Sequence, residues 1–249
     1  VVTAAFVVSA SIVTERAGPV IGALVATLPV STGPAYIFLA LDHDSAFIAE
    51  SALAALPVNA VTIVFGLTYA ALAQRQRMIV SFAVAMLLWL TLVIVVNGVA
   101  WSLAGGLAVN ALVCAVSLPV AQRYRKAVMP PIRRRWYDIP LRALLVAILV
   151  ATVIGLSERV GPVVTGALAI FPIVFSSLML ILHPRIGGRA TAAVVANALW
   201  GLVGFGLGLA MLHVGALYLG SAMGLILGLA VCVCWNLGLW AFSRRAATR

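Results

Sequence analysis

The chain has 249 residues, 64% of them hydrophobic and 9% charged, with a formal net charge of +10. Soluble domains are about 45–50% apolar and about 25% charged, so both a water-soluble globule and a disordered chain are excluded. The excess of base then reads as basic loops beside membrane spans, and no nucleic-acid partner is expected.

Crossing a bilayer takes about 20 apolar residues. Charges, Gly/Pro breaks and turns divide the chain into about nine candidate spans: 1–14, 18–41, 45–73, 78–98, 102–121, 140–157, 161–183, 188–213 and 216–242. The chain starts at Val1 inside a hydrophobic stretch, so a few native residues are expected before it. Val1–Val13 runs into Thr14-Glu15-Arg16 without a small-residue cleavage site and reads as a retained helix rather than a signal peptide. Between the fourth and fifth spans, Asn97-Gly98-Val99-Ala100-Trp101-Ser102 makes a tight turn with an interfacial Trp. The one long loop, Gln122–Ile139, reads as a basic topology determinant that touches anionic headgroups. In the last two spans, Gly204-x-x-x-Gly208 and Gly220-x-x-x-Gly224-x-x-x-Gly228 are small-residue faces for close helix packing.

With nine spans and the N-terminus outside, 15 of the 16 basic residues fall on one face and Arg159 alone on the other. The positive-inside rule makes the basic face cytoplasmic, together with the C-terminus. Asp42, Asp44 and Glu158 fall on the opposite face.

The chain also repeats itself. Glu15-Arg16-Ala17-Gly18-Pro19-Val20 recurs as Glu158-Arg159-Val160-Gly161-Pro162-Val163, an offset of 143 residues. Gly22-Ala23-Leu24 matches Gly166-Ala167-Leu168, Pro29 matches Pro172, and Asn59-Ala60 matches Asn197-Ala198. Spans one to four therefore recur as spans six to nine. A single extra span between them makes the second copy enter from the opposite side. The expected fold is an all-α polytopic membrane protein with two inverted four-helix repeats, 1–98 and 140–249, joined by a linker helix and basic loop at 99–139.

Each copy starts its second helix with Glu-Arg, one residue, then Gly-Pro. Proline suits the first helical turn, and the free N–H groups there attract anions. Arg16 and Arg159 add positive charge; Glu15 and Glu158 read either as proton-coupling carboxylates or as interfacial ion-pair partners. Both second helices carry breakers. Pro29, Ser31, Thr32, Gly33 and Pro34 mark a break in the first; Pro172, Ser176 and Ser177 mark a break or a kink in the second. Paired interruptions in two halves point to a central transporter site. Asn59 and Asn197 read as interhelical glue or substrate ligands, and Glu50 as a proton carrier or a vestibule residue. Tyr36 reads as packing, and His183 and His213 lack metal partners in sequence. Cys114, Cys232 and Cys234 read as small apolar residues. No catalytic triad, zinc motif, Walker loop or dinucleotide fingerprint is present, so neither an enzyme nor a cofactor is expected.

The runs Gly22-Ala23-Leu24-Val25-Ala26-Thr27-Leu28-Pro29 and Gly166-Ala167-Leu168-Ala169-Ile170-Phe171-Pro172 resemble the small GlpM-like bacterial membrane proteins. Those are single short units, and this chain looks like two of them fused. The resemblance implies a bacterial inner-membrane location and no particular substrate. Expected partners are membrane lipids at the basic face and a small-molecule or lipid substrate; a homo-oligomer stays open. Three functions fit the sequence: a secondary transporter or exporter of a small anionic or zwitterionic solute, a flippase or scramblase for an anionic lipid or lipid carrier, or a non-transporting structural or assembly subunit.

Overall fold

The computed structural model describes residues 31–127 and 138–247. The first span, most of the second and the centre of the basic loop lie outside the described residues. Among the described residues there are eight α-helices and no strand. They are α1 (Thr32–Asp42), α2 (Ser45–Leu72), α3 (Met78–Asn97), α4 (Leu103–Ala121), α5 (Asp138–Ala169), α6 (Ile173–Ile186), α7 (Gly188–Leu219) and α8 (Ser221–Ala247). Six of these, α2, α3, α4 with its short 3-10 extension, α5, α7 and α8, are long and apolar enough to cross a membrane. The shorter α6 is also apolar. This is the make-up of a multi-pass helical membrane protein.

Local chemistry sets most helix ends. Asp44 accepts a hydrogen bond from the Phe47 N–H at 2.8 Å and starts α2, and Ser102 accepts one from Gly105 at 3.1 Å and starts α4. Such caps satisfy donors that the first turn leaves open. The turn between α3 and α4 is closed by the Trp101 indole, which donates to the Val96 carbonyl at 2.7 Å. Gly161, Gly187 and Gly220 have φ of 72°, 82° and 86°. With their ψ near 180°, this is backbone that only glycine adopts without strain. Gly161 divides α5 into two helical pieces, Gly187 joins α6 to α7, and Gly220 joins α7 to α8.

After residue 140 the structure keeps one expected division and moves another. The division expected between the sixth and seventh spans is present: α5 is two helical pieces across a kink at Gly161, whose φ of 72° and ψ of 177° are not helical. The rest of the seventh is α6, beyond a non-helical stretch at 170–172. The reversal expected between 213 and 216 lies at Gly220 instead. Gly215 is spent on packing: a Cβ there would stand 2.7 Å from the Gly224 Cα. Conversely, Gly220 is the turn itself and not part of the small-residue face.

α2 is the central helix, packed along α7 and flanked by α3, α4 and α5. A Cβ on Gly166 would collide with the Ser51 carbonyl, and one on Gly188 with the Ala73 carbonyl, so α5 and α7 approach the α2 backbone directly. Two cores result. One joins α1, the start of α2, α5 and the end of α7. The other fills the space between α2, α3, α4, α6 and α7.

Contacts between distant residues define the two ends of the bundle. At one end the His43 Nε2 donates to the Ser157 hydroxyl at 2.8 Å, since that hydroxyl itself donates to Ile154. At the other, Tyr69 and His183 are bonded at 2.7 Å, and Arg185 grips Asp138 with two bonds of 2.6 and 2.7 Å. Following the helices between them, Arg75, Arg77, Arg123, Arg125, Lys126, Arg142, Arg185, Arg189, Arg244 and Arg245 lie toward the second end, and Arg159 toward the first.

Candidate functional site

The interruption in the second half is a true break. The chain leaves helical conformation after Ala169, and Pro172, with ψ of 50°, precedes α6. Proline cannot donate to a preceding carbonyl, so the ladder cannot run through this stretch. Instead Phe171 N–H reaches Leu168, and Ile173 N–H reaches Phe171 at 2.7 Å. The Phe171 ring packs edge-on to Trp89, their centroids 5.4 Å apart.

In the first half α1 starts at Thr32, directly after Ser31. The Thr32 hydroxyl donates to the Ala169 carbonyl at 3.0 Å. The start of α1 therefore docks on the interruption in the second half, 137 positions along the chain. Ala169 is the last residue of α5, so Thr32 satisfies a carbonyl that the break leaves without an intrahelical donor. Ser31, Thr32, Pro34, Pro172, Ser176 and Ser177 are all buried, and Gly33 is half-buried. Ser177 donates back to Val174 at 2.9 Å, whereas the buried Ser176 hydroxyl has no hydrogen-bond partner.

The crossing lies inside the bundle. α1 has 11 residues and α6 has 14. At ~1.5 Å per residue they extend ~16 Å and ~21 Å away from it, in opposite directions. Both present their N-terminal ends to the crossing, and neither has a side-chain cap. Each such end carries roughly half a positive charge.

The other expected site residues lie elsewhere. Glu15, Arg16 and Pro29 are outside the described residues. Glu158 and Arg159 are exposed beside Gly161, at the end of the bundle away from the basic residues. Glu50 is exposed on α2, between the buried Ala49 and Ser51. None of these three reaches the crossing.

Asn59 and Asn197, equivalent in sequence, do different things. The Asn59 amide donates to Asn110 Oδ1 at 2.8 Å and to the Leu202 carbonyl at 3.0 Å. Asn110 in turn donates to Leu56 at 2.7 Å and Gly106 at 2.9 Å. This network binds α2, α4 and α7 together, and Gly206 leaves it room. Asn197 sits nearer the basic end. It accepts from the Arg125 guanidinium at 2.6 Å, and that guanidinium also lies over the Trp200 ring. Asn59 is thus glue between helices, and Asn197 anchors the start of the basic loop.

Several polar residues went unmarked by the sequence reading. Asn110 obeys the same rule as Asn59, a lone amide in an apolar helix, but treating its span as a linker hid it. Trp89, also unmarked, donates to Thr62 at 3.1 Å, and His213, marked only as lacking metal partners, bonds the Ala49 carbonyl at 2.7 Å. Tyr36 is buried as expected of packing, yet its hydroxyl has no partner. Comparison with family models, curated proteins and solved structures gives no match to this chain.

Proposed function

We propose that the chain is a bacterial inner-membrane secondary transporter or exporter of a small anionic or zwitterionic solute. It would work by alternating access between two inverted four-helix halves in a nine-span topology. The N-terminus would lie outside and the basic end would face the cytoplasm. The observation that carries this reading is the Thr32–Ala169 hydrogen bond, which brings the start of α1, in the first sequence repeat, to the interruption in the second. Broken helices that meet inside a bundle place uncapped backbone ends where only protein or a polar cavity can satisfy them. The division of the described basic residues between the two ends supports the orientation. The exposed Glu50 and Glu158 stand apart from the crossing, so any coupling role would be played in a vestibule.

Thiol accessibility tests the proposal. Single cysteines placed by Ser31→Cys and Ser176→Cys, in a chain whose Cys114, Cys232 and Cys234 are replaced, are probed with a membrane-impermeant maleimide from each side. A transporter exposes both positions to both sides in turn. Labelling from neither side would sink the reading and favour a structural subunit. Loss of fluorescent-lipid asymmetry in proteoliposomes without aqueous labelling would favour a flippase.

A further inference from the structure

We infer that Arg125 is the centre of a phosphate-binding site at the basic end of the bundle, suited to the headgroup of an anionic phospholipid. The inference needs only that the chain crosses a membrane, so it stands apart from the transport proposal. A guanidinium is a planar fork of N–H donors with no acceptor. Here the fork is held twice. Its Nε donates to Asn197 Oδ1 at 2.6 Å, and its Cζ lies 5.8 Å from the centre of the Trp200 ring. Asn197 is itself turned by its amide nitrogen, which donates to the Ala193 carbonyl at 2.7 Å and so presents Oδ1 to the arginine. The turn before Arg125 is fixed as well. Gln122–Tyr124 packs on α7, and the Tyr124 ring packs against the larger core. Both terminal nitrogens, Nη1 and Nη2, keep their protons without a partner among the described residues. Holding Nε and one face removes side-chain freedom before any ligand arrives, and the edge left over matches two oxygens of a phosphate.

The surroundings point to a lipid as the source of that phosphate. α4 with its 3-10 extension covers Leu103–Tyr124, 22 residues. At ~1.5 Å per residue this is ~33 Å, close to the ~30 Å hydrocarbon layer. With Trp101 at one surface, Arg125 stands at the other, level with the headgroups. Arg123 and Lys126 beside it are exposed. Asp138, the one described carboxylate at this end, is gripped by Arg185. These three cations therefore have no described acid to neutralise them, which favours a headgroup of net negative charge. On the way to Arg123, α4 exposes Leu112, Val116 and Pro119, an apolar surface for the acyl chains of a lipid seated at this end.

Native mass spectrometry of the full chain, released from detergent micelles, counts bound lipid. Phosphatidylglycerol, phosphatidylcholine and diacylglycerol are titrated separately, and inorganic phosphate is titrated by calorimetry at constant ionic strength. Phosphatidylglycerol is expected to bind saturably and more tightly than either other lipid. Arg125→Lys keeps the charge but loses the fork and the stacking, and should weaken that binding about tenfold. Arg123→Lys keeps the charge where no fork is held, and should change it less than about twofold. Saturable phosphate binding that Arg125→Lys abolishes, without phosphatidylglycerol binding, keeps the phosphate site and assigns it to a soluble ligand. A purely structural arginine predicts a lower melting temperature in Arg125→Lys with affinity unchanged, and that result overturns the site. Equal losses in the two lysine variants, phosphatidylcholine or diacylglycerol bound as tightly as phosphatidylglycerol, or no saturable binding of any probe also overturns it.

Discussion

Two polar regions lie within this apolar bundle, and they differ in how their hydrogen bonds are used. In the Asn59–Asn110 network both amide NH2 groups donate to carbonyl oxygens, the Asn59 one to Asn110 Oδ1 and Leu202, which ties α2, α4 and α7 together and leaves only the acceptor Asn59 Oδ1 without a partner. At the crossing Thr32 is bonded, while the Ser176 hydroxyl in the first turns of α6 has no partner. A bonded network fixes one arrangement of helices, because breaking it leaves amides buried in a medium without water. A region with idle donors can accept something else. The same few polar residue types therefore serve as scaffold in one place and as a candidate site in the other.

Four substitutions would break or sharpen that contrast. The largest effect belongs to the scaffold contacts without side chains. Gly166→Val drives a branched side chain into the Ser51 carbonyl and should cost about 3 kcal/mol or more, seen as loss of monodisperse protein in detergent. A wild-type elution profile would mean that α5 and α2 do not meet there. Next comes Gly220→Ala, at about 2 kcal/mol, because its φ of 86° strains any L side chain. Thermal unfolding of the purified chain reads this directly. Asn110→Leu removes a cross-helix donor and should cost about 1 kcal/mol, while leaving maleimide labelling at position 176 unchanged. Altered labelling would join the two regions that we separate. The smallest effect is expected for Ser51→Ala. Its hydroxyl is buried without a partner, so the melting temperature should hold or rise slightly.

Local signals made part of this fold readable. The spans at 45–73, 78–98 and 102–121 agree with α2, α3 and α4 to within a residue at each end. Asp44 and Ser102 announce helix starts by capping chemistry that any reader of sequence can use. The breaker Pro172 likewise marks the interruption before α6, and Ser31-Thr32-Gly33-Pro34 marks the start of α1. What sequence could not distinguish was two uses of one residue type. Gly215 and Gly220 are both glycines near a helix end, but one meets a neighbouring backbone and the other takes positive φ. Asn59 and Asn197 occupy matching places in the repeat, yet their partners come from Asn110 and Arg125, on segments outside the matched sequence. The bond from Thr32 to Ala169 was equally hidden, since pairing across 137 residues leaves no local trace.

The shortness of α6 bears on how the chain enters its membrane. A helix of 14 residues reaches ~21 Å, short of the ~30 Å hydrocarbon layer. The segment 162–169 before it is shorter still. Released singly into lipid, either piece would expose the non-helical backbone around Pro172 to hydrocarbon. The stretch from Gly161 to Ile186 must therefore leave the insertion machinery as one unit, with its middle still hydrated or shielded. Its final seat forms when Thr32, synthesised long before, caps Ala169. Biogenesis of the second half thus waits on a residue in the first, and a nascent chain carrying Thr32→Val should linger at that stage.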